Sequence, residues 1–306
     1  MADQSHSYPF GTLLTAMVTP FTEDGQVDLD EAAKLAVKLV DDGCDGLVVT
    51  GTTGETSTLT DEENLAMFKA VKDAVGGRAA ILAGTGTNDT AHSIALSRKA
   101  QATGVDGLLI VTPYYNKPSQ AGVQAHFEAI ANATELPIMV YDIPGRTGIP
   151  INTETIIRLA DHPRIIALKD AKADFAAVTR VLANTDLDVY SGDDGLTLPW
   201  MSAGAVGWVS VSAHVATRQF RTLVDAALAG DFTTAREAHF ELDPLIRAVM
   251  THIQGAVAAK QILKWQGVLP NSVVRLPLVE PSEAELAPIM ADLQEVGFEL
   301  GMEFTV

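Results

Sequence analysis

One unit recurs along this chain: a short, continuous apolar run rich in β-branched residues, bounded by Gly, Pro or Asp, and followed by a segment of helical period. The runs are TLLTAMV near Leu13, GLVVT near Val48, AAILAGT near Ile81, GLLIVTP near Leu109, PIMVYDIP near Met139, RIIALKD near Ile166, LDVYSGD near Val189 and VGWVSVS near Trp208. Their apolar residues are continuous rather than alternating, as suits strands covered on both faces of a parallel sheet. Segments such as DLDEAAKLAVKLVDDG, TDEENLAMFKAVKDAVGG, NDTAHSIALSRKAQATG and TETIIRLADHP lie between them. In the first of these, Asp28 or Asp30 is the N-cap and Gly43 the stop. Eight such units before about residue 230 predict an α/β fold, a (β/α)8 TIM barrel. An open doubly wound sheet fits less well. The nearest thing to a nucleotide loop, Gly84-Thr-Gly86-Thr-Asn-Asp89, lacks the third glycine of the dinucleotide fingerprint, and neither a Walker A sequence nor HExxH occurs.

Beyond Gly230 the strand signals stop. DFTTAREAHFELDPLIRAVM, GAVAAKQILKWQG and PSEAELAPIMADLQEVG read as amphipathic helices. The expected organisation is a catalytic barrel over 1–230 and a C-terminal helical domain over 231–306, packed on the barrel because no low-complexity linker separates them.

With 306 residues, 47% hydrophobic and 20% charged, the chain can bury a sizeable core without metals or disulfides. Its 39 acidic residues against 21 Lys and Arg give a net charge of -18, which repels phosphate backbones and anionic membrane surfaces. Nucleic acid and membrane are therefore not expected partners, and an anionic ligand must be captured by a local cation. The lone Cys44 forms no intrachain disulfide and no thiolate zinc cluster, and Met1-Ala-Asp-Gln-Ser-His has neither the basic nor the apolar region of a secretory signal. A cytoplasmic location is the expectation. The uncharged stretch Gly195 to Thr217 is long enough to span a bilayer, but Pro199, His214 and its serines favour a buried strand with turns.

Barrel chemistry sits at the C-terminal ends of the strands. There the sequence places Thr50-Gly-Thr52-Thr53-Gly-Glu55, Thr112-Pro-Tyr114-Tyr115-Asn-Lys117, Tyr141-Asp-Ile-Pro-Gly-Arg146-Thr, Lys169-Asp170 and Ser191-Gly192-Asp193-Asp194. Lys169 emerges from an apolar strand, where desolvation lowers an amine's pKa and frees it to attack a carbonyl. The bland alternative is a solvated lysine closing a strand. Tyr141, ending the neighbouring strand, is either a proton relay beside Lys169 or an amphipathic core tyrosine. Arg146, in a Pro-Gly-Arg-Thr-Gly turn, is either a carboxylate fork or a surface arginine paired with an excess acid. Thr52 and Thr53 offer hydroxyls and N–H groups to a carboxylate or proton chain, or serve as helix caps. Asp193 and Asp194 lack metal-ligand spacing and read as loop structure. His214 suits a capping or core role better than an acid or base.

Taken jointly, GTTGET, TPYYNKPSQ, YDIPGRTG, LKDAK and SGDD resemble the dihydrodipicolinate synthase family, nearly end to end over the barrel. The resemblance implies a class I aldolase-type enzyme, without metal or organic cofactor, that condenses pyruvate with aspartate 4-semialdehyde in lysine biosynthesis. It implies Lys169 as the Schiff-base lysine, Tyr141 as the proton-relaying tyrosine, and Thr52 and Tyr115 as the rest of a hydroxyl triad. Tyr115 is then expected to enter a neighbouring subunit's site within a homotetramer built as a dimer of dimers. It further implies Thr53 on the pyruvate carboxylate, Arg146 on the semialdehyde carboxylate, and the main chain at Gly192 and Val209 lining the pyruvate pocket. Lysine-inhibited relatives often carry histidines in the helix after GTTGE. This chain has Asp61 and Asn64 there, and His92 where those relatives have an acid, so weak or absent inhibition by lysine is expected. Two rival readings are an N-acetylneuraminate lyase or 2-keto-3-deoxy-sugar-acid aldolase of the same superfamily, disfavoured by Arg146, and a catalytically silent barrel that binds a keto acid.

Overall fold

Strands this apolar must be covered on both faces, and closing them into a barrel does so. In the computed structural model, which describes residues 8–298, the eight runs form β1 (Leu13–Ala16), β2 (Gly46–Val49), β3 (Ala80–Gly84), β4 (Gly107–Val111), β5 (Ile138–Asp142), β6 (Ile165–Asp170), β7 (Asp188–Ser191) and β8 (Gly207–Ser210). Each pairs in parallel with its neighbours in chain order, and β1 pairs with β8 to close the barrel.

The connections carry α1 (Leu29–Asp41), α2 (Asp61–Val75), α3 (Thr90–Gln101), α4 (Gln120–Ala131), α5 (Pro144–Thr147), α6 (Thr153–Leu159), α7 (Phe175–Asn184), α8 (Thr197–Ser202) and α9 (Ala213–Leu228). Of the two candidate caps for α1, Asp28 takes the role, accepting from the Glu31 N–H at 3.0 Å. Gly43 follows the helix at φ 112°, a left-handed turn that ends it. Thr60 and Glu63 form a reciprocal capping box on α2.

Strand parity divides the interior into two layers. Leu14, Ala16, Val48, Leu82, Leu109, Met139, Tyr141, Ala167, Tyr190 and Val209 fill the inside of the barrel. The residues between them, among them Leu13, Leu47, Ile81, Leu108, Val140, Leu168, Val189 and Trp208, join the helices in the outer core. The Tyr190 hydroxyl donates to the Gly11 carbonyl at 2.7 Å, tying β7 to the approach of β1.

After a left-handed turn at Gly230 (φ 77°) come α10 (Phe232–Met250), α11 (Gly255–Trp265) and α12 (Glu283–Glu295). Leu242, Leu245, Ile262 and Leu293 belong to the same continuous core as the outer barrel layer. The uncharged stretch from Gly195 to Thr217 resolves into α8, β8 and the start of α9. Among the described residues, no helix is long and apolar enough to cross a membrane.

Candidate active site

Tyr141 and Lys169 are register partners on β5 and β6. Tyr141 shares parity with Met139, and Lys169 with Ala167, both inward-facing residues, so the two side chains meet inside the barrel mouth. Lys169 Nζ stands 4.3 Å from the centroid of the Tyr141 ring. The parity that turns them inward turns Asp142 and Asp170 outward, where the Ile151 N–H (3.1 Å) and the Lys172 ammonium (3.5 Å) serve Asp142.

Lys169 is buried, and desolvation is the main force that lowers its pKa to about 8. The Asp194 carboxylate pulls the value up, and the Arg146 guanidinium pushes it further down. An amine so placed is a free nucleophile over an accessible range of pH, which an exposed lysine is not. Its stem runs past Gly192, where a Cβ would lie 2.9 Å from Lys169 Cε, so any side chain there collides with the lysine. Burial raises the Tyr141 phenol well above its ordinary value, opposed by the nearby Arg146 guanidinium and the Thr52 side chain. A phenol kept protonated, sharing a cleft with the Thr52 hydroxyl, is equipped to pass protons to a neighbouring reaction centre.

A cleft of about 680 Å³ opens beside Tyr141, lined by Thr50, Thr52, Tyr115, Lys117, Tyr141 and Arg146 among others, with Lys169 buried behind Tyr141 rather than in the lining. Arg146 lies in α5, where the expected turn tightens into one helical turn with Pro144 at its start and Gly148 (φ 81°) at its end. The Thr147 hydroxyl holds that turn through the Ile143 (3.0 Å) and Ile149 (2.9 Å) carbonyls. Arg146 is exposed, and among the described residues no carboxylate pairs with it, although the chain carries an excess of acids. That leaves its guanidinium for a ligand.

Thr52 and Thr53 are not helix caps, since Thr60 caps α2; they sit in a tight turn in which the Glu55 N–H donates to the Thr52 carbonyl at 3.1 Å. Thr53 is buried in that turn and lies outside the lining of the open cleft. Val209 is buried in the inner layer with Tyr141. Tyr115 is 88% exposed at φ 74°. Thr50, Glu55 and Lys117 are also left-handed, so four of the five described non-glycine residues with positive φ surround this site. Strain of that kind persists where surrounding structure over-determines it.

The SGDD aspartates are loop structure, as read from the sequence: Asp193 accepts from the Gly195 N–H at 3.0 Å, and Asp194 from Trp208 Nε1 (2.9 Å) and the Ser212 N–H (2.7 Å). Asp194 does more than that reading supposed, because its charge acts on both Lys169 and Tyr141. No cluster of metal-ligating side chains occurs among the described residues. His214 is a core residue. Its Nδ1–H donates to the Val211 carbonyl (2.7 Å) and its Nε2 accepts from the Val18 N–H (3.0 Å), while burial pushes its pKa down to about 4. Sequence reasoning missed Lys260 and Arg275, which grip Glu55 from the C-terminal region. The available signal was a lone lysine within the apolar run GAVAAKQIL, and its partner could not be named without the fold.

The sequence profile of the Dihydrodipicolinate synthetase family matches residues 9–296. The 4-hydroxy-tetrahydrodipicolinate synthase of Kineococcus radiotolerans is 54% identical over 289 residues, covering 94% of each chain. That of Acidothermus cellulolyticus is 53% identical over 290 residues, covering 95% of this chain and 94% of its own. Among solved structures, the chloride-inhibited dihydrodipicolinate synthase of Acinetobacter baumannii, complexed with pyruvate, superposes with a TM-score of 0.91 at 35% identity, covering 94% of this chain and 99% of its own. The Cyanidioschyzon merolae enzyme with lysine bound gives 0.92 at 39% identity, over 95% and 99%. A barrel with a buried strand-end lysine is common to many chemistries, but a profile match over nearly the whole length and relatives at half identity are not: this chain belongs to the dihydrodipicolinate synthetase family.

Proposed function

We propose that Lys169 is the Schiff-base nucleophile for pyruvate, with Tyr141, Thr52 and Tyr115 as its proton relay and Arg146 as the receiver of L-aspartate 4-semialdehyde. The chain is an enzyme, a lyase of the class I aldolase superfamily that makes 4-hydroxy-tetrahydrodipicolinate in the diaminopimelate and lysine pathway. The observation that carries the residue assignment is the register pairing of a buried, pKa-depressed Lys169 with Tyr141 beneath an unpaired Arg146.

The neutral Lys169 amine adds to the pyruvate ketone, and loss of water leaves an iminium. The iminium draws electrons from the methyl group, which gives up a proton to form an enamine. The enamine carbon attacks the aldehyde, whose oxygen takes a proton from the Tyr141 relay. The substrate's own amine then closes the ring on the iminium carbon and expels Lys169, and one water is released overall. Thr53 and the main chain at Gly192 and Val209 hold the pyruvate end. Arg146 suits a short carboxylate rather than the polyol of a sugar-acid aldolase. A silent keto-acid-binding barrel would be expected to lack one of Lys169, Tyr141, Thr52 or Arg146, and all four are present.

The assembly we assign is a homotetramer of tight dimers in the cytoplasm. An 88% exposed Tyr115 in a left-handed conformation supports the crossing of that residue into a neighbouring site. Intact mass after incubation with pyruvate and borohydride tests the nucleophile. A reduced adduct is expected on the wild type and none on Lys169→Ala; a folded wild type without an adduct would refute the assignment.

A further inference from the structure

Among the ion pairs of the described residues, one has both side chains almost wholly inside the molecule. Lys260 of α11 and Glu55 after β2 are each 1% exposed in their side chains, and Lys260 Nζ donates to Glu55 Oε1 at 2.5 Å. The other carboxylate oxygen, Oε2, accepts from the Arg275 main-chain N–H at 3.0 Å. Lys260 also donates to the Val273 carbonyl (2.9 Å) and stands 4.1 Å over the Phe21 ring. The Arg275 guanidinium lies 4.6 Å from that same ring and reaches Glu63 at the head of α2, as well as the Gly25 and Thr58 carbonyls. The loop after β2 and the C-terminal segment thus meet at one carboxylate, and the loop after β1 packs against the two cations through Phe21.

Glu55 ends the turn that carries Thr52 and Thr53, and it is itself left-handed at φ 57°. That conformation is disfavoured for a residue with a Cβ and is kept only where its surroundings enforce it. Burying two charges is costly, and replacing such a pair by apolar groups is often neutral or stabilising. A pair that contributes little to stability, yet fixes both oxygens of a strained residue beside the catalytic cleft, is better explained as a device for geometry. A second anchor acts on the same turn, since the Thr19 hydroxyl donates to the Gly54 carbonyl at 2.7 Å.

We propose that the Lys260–Glu55 pair, backed by Arg275, is a positioning latch through which the C-terminal helices hold the turn at residues 51–55, so that Thr52 meets Tyr141 and Thr53 keeps its place in the pyruvate pocket. The latch rests on the roles assigned to Thr52 and Thr53 above. Lys260 touches no substrate, and it acts through Glu55.

The test compares full-length Lys260→Met with the wild type, using Thr52→Val and Thr53→Val as references. It reads kcat, the KM of each substrate, and hydrogen exchange of the peptide covering residues 50–59. In Lys260→Met, kcat falls by about ten- to a hundredfold, as expected when a catalytic hydroxyl is displaced by around an ångström. The pyruvate KM rises, the semialdehyde KM set by Arg146 does not, and exchange accelerates in residues 50–59 but not in β5 or β6. The double variant Glu55→Gln/Lys260→Met removes both buried charges, so its melting temperature returns toward the wild type while kcat stays low. If Lys260→Met fails to fold, the double variant carries both readouts. Wild-type kinetics and wild-type exchange of residues 50–59 in either folded variant would overturn the latch. Wild-type kinetics in both threonine variants would instead overturn the reading of the turn and the catalytic half of this proposal, and exchange alone would then decide whether the latch holds the loop.

Discussion

The pKa of Lys169 is set by burial and by two neighbouring charges acting in opposite directions. Burial and the Arg146 guanidinium lower its pKa, and the Asp194 carboxylate raises it, for a balance of about 8. The acid limb of kcat/KM for pyruvate reports the free enzyme's amine, so activity rises with pH up to about 8 and then levels. Removing a nearby cation lets the amine hold its proton to higher pH. Arg146→Gln is therefore expected to move that limb upward, and to raise the semialdehyde KM by roughly ten- to a hundredfold through the lost charged hydrogen bonds. A pH–rate profile with both substrates varied checks the two effects together, and an unmoved limb would argue against Arg146 acting on Lys169. Gly192 belongs to the same account, because the space it leaves open is the space the lysine stem fills.

At the scale of elements, the strands set which side chains face inward and the loops beyond them supply the chemistry. The head of α2 shows how a single helix turn alters what a surface offers a ligand. Asp61 is held by His92 Nε2 (2.8 Å) and Lys99 Nζ (3.2 Å) from α3, which keep its carboxyl below the usual range. Asn64 is buried, and its amide donates to the Thr60 carbonyl at 3.0 Å. Where lysine-inhibited relatives often present histidines, this chain presents an acid already committed to two bases and an amide turned onto its own helix. Lysine is accordingly expected to inhibit weakly or not at all in a rate titration. A submillimolar inhibition constant would contradict that expectation.

At the scale of the whole molecule, the hydroxyl proposed as the third member of the relay is exposed within one chain. Tyr115 lines the same cleft as Thr52 and Tyr141 yet is 88% exposed, whereas Tyr141 is buried. If Tyr115 completes a neighbour's relay, mixing inactive Lys169→Ala with inactive Tyr115→Phe under conditions of subunit exchange creates hybrid dimers with one intact site. A random mixture should then regain about a quarter of the wild-type rate, the share set by two-fold assembly. No regain despite exchange, followed by native mass spectrometry, would place Tyr115 in its own subunit's site. The C-terminal helices belong to this scale too, because their core is continuous with the outer barrel layer and Lys260 reaches from them to the loop after β2.

All eight strands, the barrel they imply and the three helices after Gly230 were legible in order along the chain, because apolar runs and helical period are local signals repeated at every unit. The strand-end residues were legible for the same reason, since a barrel of known order has a known chemical end. Tertiary structure alone decided how those residues are used. Only the register between β5 and β6 set Lys169 beside Tyr141, and only burial together with the approach of Arg146 lowered its pKa. Only the three-dimensional surroundings left Arg146 without an acid while His214 was absorbed between Val18 and Val211. Lys260 and Glu55 are 205 residues apart, and no local pattern encodes a contact at that distance. Sequence periodicity determines which face a side chain takes, whereas charge, desolvation and pairing depend on what the closed barrel brings to that face from elsewhere in the chain.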